Sequence, residues 1–147
     1  MLKKLIFTHN AFMDPPANFT VTLAMDGNYM IKAKLEYPWD KHPEREVAPI
    51  KPEDCKVIRE LIDDCNLWTW NKEYHPEGYE ILDGFGWDLV YEDSGEIIGT
   101  SINVIKTEGC NAYPWCFYKL IRAILIAVPE LKYQLECYTE EKNQCTN

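Results

Sequence analysis

The sequence predicts an α+β fold: a mainly antiparallel sheet built from hairpins, packed by two helices over about 52–65 and 114–127. Three observations lead there. Phe19–Met25 and Tyr29–Tyr37 each alternate apolar with small or polar residues around Asp26-Gly27-Asn28, a hairpin pattern. Trp87–Glu92 and Glu96–Val104 do the same around Asp93-Ser94-Gly95. Two other stretches space their apolar residues three and four apart, the helical period. The chain has 147 residues, which fits a single domain over 1–147. Its 46% hydrophobic and 27% charged residues exclude a disordered chain, a collagen and a coiled coil.

Leu2 to Phe7 reads as a first strand, and Asp14-Pro15-Pro16 separates it from the hairpin. Parity sets the register of that hairpin. A three-residue loop places Met25 opposite Tyr29, Leu23 opposite Ile31, Val21 opposite Ala33 and Phe19 opposite Leu35, with every apolar residue on one face. It also asks for a left-handed residue at Gly27 or Asn28. Thr20, Thr22, Lys32 and Lys34 form the wet face. Tyr37 to Pro49 carries three prolines and is a loop long enough to matter for binding.

The first helix opens on Pro52, with Glu53 and Asp54 at its positive end. Cys55, Ile58, Leu61, Ile62 and Cys65 form its apolar stripe, and it ends near Asn66. Leu67 to Gly78 is aromatic and irregular. The second helix begins at Pro114. Phe117, Leu120, Ile121, Ile124, Leu125 and Val128 bury it on most sides, and Pro129 ends it. Leu131 to Tyr138 fits either a strand or a helix.

The apolar run after Met1 is too short for a signal peptide, and no stretch approaches the ~20 apolar residues of a membrane span. A cytoplasmic protein is expected. The six cysteines, Cys55, Cys65, Cys110, Cys116, Cys137 and Cys145, contain no C-x-x-C pair. That gives no support to a zinc knuckle or a thioredoxin-type site. They are expected to be reduced, most of them small buried hydrophobes, with Cys145 exposed.

Asp83-Gly84-Phe85-Gly86-Trp87-Asp88-Leu89, then Gly95, then Gly109-Cys110-Asn111-Ala112-Tyr113-Pro114-Trp115-Cys116-Phe117, resembles a pattern of small uncharacterised bacterial proteins. That pattern is D-G-x-x-W-x-L, a glycine turn, and G-x-N-x-Y-P-x-x-F-x-x-L. The resemblance covers Asp83 to about Leu120 and implies a scaffold, with no activity attached. The residues also explain themselves. Gly109 supplies a positive φ at a strand exit, and Asn111 bonds nearby backbone as the chain turns. Trp87 and Phe117 join strand and helix in one core.

No established catalytic motif or phosphate-binding glycine loop is present. His9, His42 and His75 are far apart and read as surface residues, so no metal, cofactor or catalytic residue is indicated. A Cys–His pair such as Cys110 with His75 would need proximity that sequence does not show. Cys110 also reads as lying just before a helix N-terminus.

Charge is more informative. The chain carries a net charge of −9, against the basic footprint of a nucleic-acid binder. Glu44 to Glu96 holds 15 acidic and 5 basic residues, whereas the rest of the chain carries a net +1. That central segment also holds Trp68, Trp70, Tyr74 and Tyr79. Acids steer a basic partner and aromatics anchor it, which selects Asp63, Asp64, Trp68, Trp70, Glu73 and Tyr74 as binding residues.

The expected function is that of a non-enzymatic bacterial or phage protein that binds and inhibits a macromolecular partner, of the immunity-protein or inhibitor type. The partner is a basic protein rather than a nucleic acid or a membrane. The alternatives are a small enzyme with an unfamiliar Cys/His/carboxylate site and a homo-oligomeric structural protein.

Overall fold

The computed structural model describes residues 2–11, 14–25, 30–45, 47–76, 85–93 and 103–142. Strand β1 (Leu2–Ala11) runs through the middle of a seven-stranded sheet. On one side lie β2 (Phe19–Met25), β3 (Ile31–Glu36) and β4 (Glu44–Arg45). On the other lie β6 (Phe85–Asp93), β7 (Asn103–Cys110) and β5 (Glu73–Tyr74). The order is β4-β3-β2-β1-β6-β7-β5, antiparallel throughout except β5 with β7. Helices α1 (Pro52–Cys65) and α2 (Phe117–Ala127) and a 3-10 helix (Pro129–Cys137) join the core on one face. The fold class is α+β.

Alternation puts Leu5, Phe7, Phe19, Val21, Leu23, Leu35 and Leu89 on the helix-facing side, all fully buried. Each such side chain contributes roughly 1.5–3 kcal/mol. Leu2 is three residues from Leu5 and would point away from it in a regular strand. A register shift between Leu2 and Lys4 turns it inward. α2 lies in the core on its Phe117, Leu120, Ile121, Ile124 and Leu125 face. Arg122 is not a surface charge: its Nη1 donates to the Leu135 and Tyr138 carbonyls at 3.0 and 3.2 Å, tying down the 3-10 helix.

Several expectations need correction. In the first hairpin Met25 pairs with Ile31, Leu23 with Ala33 and Val21 with Leu35. The register is two residues away from the expected one. A slip of two preserves parity, so the same face is buried and Lys32 and Lys34 remain exposed. Alternation selects a face, not a register. The expected left-handed turn residue lies outside the described residues.

In the second hairpin Asp93 pairs with Asn103 and Glu92 with Val104, so the described strand opposite β6 is 103–110; the expected turn at Ser94-Gly95 and residues 96–102 of the expected strand lie outside the described residues. The register places Trp87 against Gly109. A Cβ on that glycine would stand 2.5 Å from Trp87 Nε1, so Gly109 is required for close approach. The positive φ of this region belongs to Asn111 instead, at 51°. Asn111 Oδ1 accepts from Phe85 N–H at 3.4 Å, as its side chain suggests.

α2 begins at Phe117, not Pro114. Cys116 takes a left-handed φ of 72°, which a helix cannot pass through. Cys110 therefore ends a strand and does not precede a helix N-terminus. Leu131 to Tyr138 is neither strand nor α-helix: 3-10 geometry runs to Cys137. Cys65 and Cys116 form a disulfide across a Cα–Cα distance of 5.4 Å, against the expectation of reduced thiols. Cys55 and Cys110 are free, the Cys137 thiol lies 3.5 Å from Gln134 Oε1, and Cys145 lies outside the described residues.

His42 and His75 are exposed, but His9 is 1% exposed. Strand β1 runs past Phe7, and His9 continues its inward parity with Leu5 and Phe7. Its ring stacks on Phe19 at 5.3 Å and lies 4.8 Å from Phe85. The Tyr138 hydroxyl, held protonated by burial, meets His9 Nδ1 at 2.5 Å. Burial pulls the His9 pKa down to about 4.

An unfolded His9 takes up its proton near the ordinary 6.5. Between these values the unfolded state binds more protons. Stability is therefore complete above pH 6.5 and falls as pH drops towards 4, by about 3 kcal/mol. Urea melts at pH 7 and pH 4.5 should show that loss, and His9→Phe should flatten it while lowering stability at pH 7. An unchanged pH slope in His9→Phe would refute the assignment.

Candidate functional site

Of the acidic segment, Asp63 and Asp64 stand at the C-terminal end of α1. Asn66 ends the helix in the left-handed conformation, φ 46°, a conformation that Asn adopts more readily than most residues. Asp63 and Asp64 occupy the last turn, both exposed, with no basic residue there. The macrodipole makes this end of a helix negative, so two carboxylates here are unfavourable by about 0.3–1 kcal/mol each.

A short 3-10 turn, Leu67–Thr69, follows. It turns Leu67 inward and Trp68 outward. Trp68 is 51% exposed, with its ring edge-on to Tyr91 at 5.9 Å. Tyr91 donates to Asp93 Oδ2 at 2.7 Å. Its pKa is raised by burial first, then by Asp93, with a smaller effect from Asp63. Asp63, Trp68, Tyr91 and Asp93 thus form one neighbourhood.

Trp70 and Tyr74 do not belong to it. Trp70 is buried beneath the helix end, its indole N–H donating to the Cys65 carbonyl at 3.2 Å and its ring 6.3 Å from Phe117. Tyr74 is buried, its hydroxyl accepting from Asn71 N–H at 2.9 Å and its ring 6.0 Å from Trp87. Both are core residues and are unavailable as exposed anchors. Glu73, one residue from Tyr74 on a strand, points to the opposite face. There it lies 3.8 Å from His75 and lines a depression of about 620 Å³ with Lys72, Asp88, Val90, Lys106 and Glu108.

The disulfide adds what sequence reasoning missed. Cys65–Cys116 pins the end of α1 to the start of α2. It brings Trp115, 51% exposed, to one side of the bridge, with Asp64 one residue away on the other. Two exposed indoles and two carboxylates thus lie within three residues of the cross-linked cysteines in the chain. No signal in the spacing of six cysteines identifies this pair, because only the fold brings residues 51 apart together. Trp39, 66% exposed beside Tyr37 and Arg45, is a second indole not singled out.

His75, Asp88, Glu108 and Cys110 all line a smaller depression of about 250 Å³. Among the described residues no group of three or more His, Cys, Asp or Glu is placed to hold a metal ion. No helix there is long and apolar enough to cross a membrane.

Truncating the two tryptophans separates their roles. Trp70→Ala should cost about 3–5 kcal/mol, as for other buried aromatic truncations, and lower the melting temperature accordingly. Trp68→Ala, stripped from a half-exposed position, should cost less than half as much. Equal costs in thermal or urea melts would contradict the placement of the two rings. No family model, curated protein or solved structure matches the chain, so its functional reading rests on its own residues.

Proposed function

We propose that this chain is a non-enzymatic bacterial or phage protein that binds and inhibits a basic macromolecular partner, in the manner of an immunity protein. Its contact surface is the patch around the Cys65–Cys116 bridge: Asp63, Asp64, Trp68 and Trp115. The observation that carries the reading is the pair of exposed carboxylates at the negative end of α1, with half-exposed Trp68 three residues after Cys65 and half-exposed Trp115 next to Cys116 in the chain. Such a placement costs stability and leaves apolar rings in water. Both costs are offset when a cationic, partly apolar surface covers them. Cys65 is fully buried and the bridge closes a 51-residue separation. In the chain-entropy account that is worth about 4 kcal/mol, which keeps the patch preorganised.

The test is affinity capture from a bacterial lysate. The wild-type chain should retain a basic protein that elutes as salt rises, since ions screen exposed charges over ~8–10 Å. Asp63→Asn/Asp64→Asn should slow association with that protein while raising folding stability by several tenths of a kcal/mol or more, the helix end being relieved. Identical capture by wild type and variant would defeat the reading.

A second reading, a small enzyme, is favoured by one observation: His75, Cys110 and two carboxylates share a depression. The cytoplasmic setting is tied to the bridge, because a reducing cytosol keeps most thiols apart. One alkylation experiment addresses both. Protein isolated with its thiols trapped should label at Cys110 and Cys137 but not at Cys65 or Cys116 if it comes from an oxidising compartment. Labelling at Cys65 and Cys116 would support the cytoplasm. Cys110 labelling that slows markedly in His75→Ala would favour the enzyme.

A further inference from the structure

We propose that the face of the sheet opposite the helices is the interface of a two-fold dimer of this chain. The helices occupy the other face, and no described element packs on this one: Ile6 and Val90 lie outside the buried core. Its side chains stand in rows fixed by strand register. One row reads Glu36, Thr20, Thr8, Asp88, Glu108 from β3 to β7. The next reads Lys34, Thr22, Ile6, Val90, Lys106. The first row carries acids and no base, and the second carries bases and no acid. Among the described residues no ion pair joins any of these charges. Asp88 directly opposite Glu108 is a like-charge pairing that an isolated sheet disfavours.

A second copy pairs the outer charges of this pattern, those on β3 and β7. A two-fold axis lying between the two rows, along the hydrogen-bonding direction, sets each row of one copy against the other row of its mate. Glu36 then faces Lys34 of the second copy, and Glu108 faces its Lys106. Each pair occurs twice. At the centre Thr20 meets Thr22, Thr8 meets Ile6 and Asp88 meets Val90, so Asp88 is the one charge that gains no counter-charge. Stacked sheets lie ~10 Å apart and diverge at their margins because they twist. The long Glu and Lys side chains stand on β3 and β7, where that gap opens, and the shorter ones stand where it is narrow.

Five strands ~4.8 Å apart and two rows ~6.8 Å apart give a footprint on the order of 300 Å². That is below the roughly 800 Å² per partner of a standard interface. The dimer is accordingly expected to be micromolar and salt-sensitive.

Sedimentation equilibrium from about 1 to 500 μM at low salt tests this. The wild-type chain should dimerise and dissociate as salt rises. Lys34→Glu/Lys106→Glu makes both rows acidic, and Glu36→Lys/Glu108→Lys makes both basic. Each variant alone should be at least about tenfold weaker in self-association. An equimolar mixture of the two should form a heterodimer at least as tight as wild type. Lys119→Glu/Lys132→Glu makes the same change in net charge off the face, at two exposed positions, and should leave self-association within about twofold. Far-UV circular dichroism checks that every variant is folded.

A wild-type chain that stays monomeric throughout, or reversal variants that dimerise as well as wild type, would overturn the proposal. So would a mixture that fails to pair. Retention of a lysate protein on this face, in competition with self-association, would assign the face to a different occupant and equally overturn it.

Discussion

Trp87 is the residue on which the arrangement of sheet, loop and helix depends. Its indole lies so close over Gly109 that a methyl group there would overlap it. Its N–H donates to the Ala112 carbonyl at 3.0 Å, and its ring lies 4.5 Å from Phe117. Those three contacts set three relations at once. The glycine fixes β7 against β6, so Asp93 ends up opposite Asn103. The carbonyl bond folds residues 110–113 back across the ring. The ring contact holds the first turn of α2 against the sheet. Cys116 is thereby delivered to Cys65, and with it Trp115 to the end of α1. The candidate patch is a downstream consequence of one buried indole finding a residue without a side chain.

How much of this was legible depends on which physical rule each residue obeys. α1 was readable to its last residue because its signals are local: Pro52 at the start, a helical apolar stripe, and Asn66 able to turn left-handed at the end. The buried faces of β2 and β3 were readable because parity survives any even slip. The register itself was not, since Val21 is as apolar opposite Leu35 as opposite Ala33. The start of α2 was misplaced because Pro114 is a good first residue for a helix. Only the bridge to Cys65 and the left-handed Cys116 explain why the helix waits three residues.

The candidate site was half legible for the same reason. Asp63, Asp64 and Trp68 could be placed from α1 alone. Trp70 and Tyr74 are as aromatic as Trp68 and stand in the same irregular stretch, yet they are core. Which ring faces inward is decided by partners remote in sequence, Phe117 for Trp70 and Trp87 for Tyr74. His9 illustrates the converse. Its inward parity on β1 was visible once the strand was allowed to extend, but nothing local announces that Tyr138 waits beside it.

The two proposed surfaces make different demands on the chain, and their positions constrain each other. Both break a local rule: carboxylates at the negative end of a helix in one case, carboxylates side by side across strands in the other. A folded chain retains such conflicts most readily where a partner removes them. The patch is built on the helical layer, and the charged rows lie on the other side of the sheet. In a face-to-face dimer the two patches therefore point away from each other. Stacked sheets are ~10 Å apart, and a helix adds ~10–12 Å on each side. The patches end up on the order of 30–40 Å apart, facing outward. A single small partner cannot touch both, so two-site avidity, which requires simultaneous engagement, is unavailable for it. The architecture instead fits two copies of the chain carrying two partner molecules, each bound with the affinity of one patch.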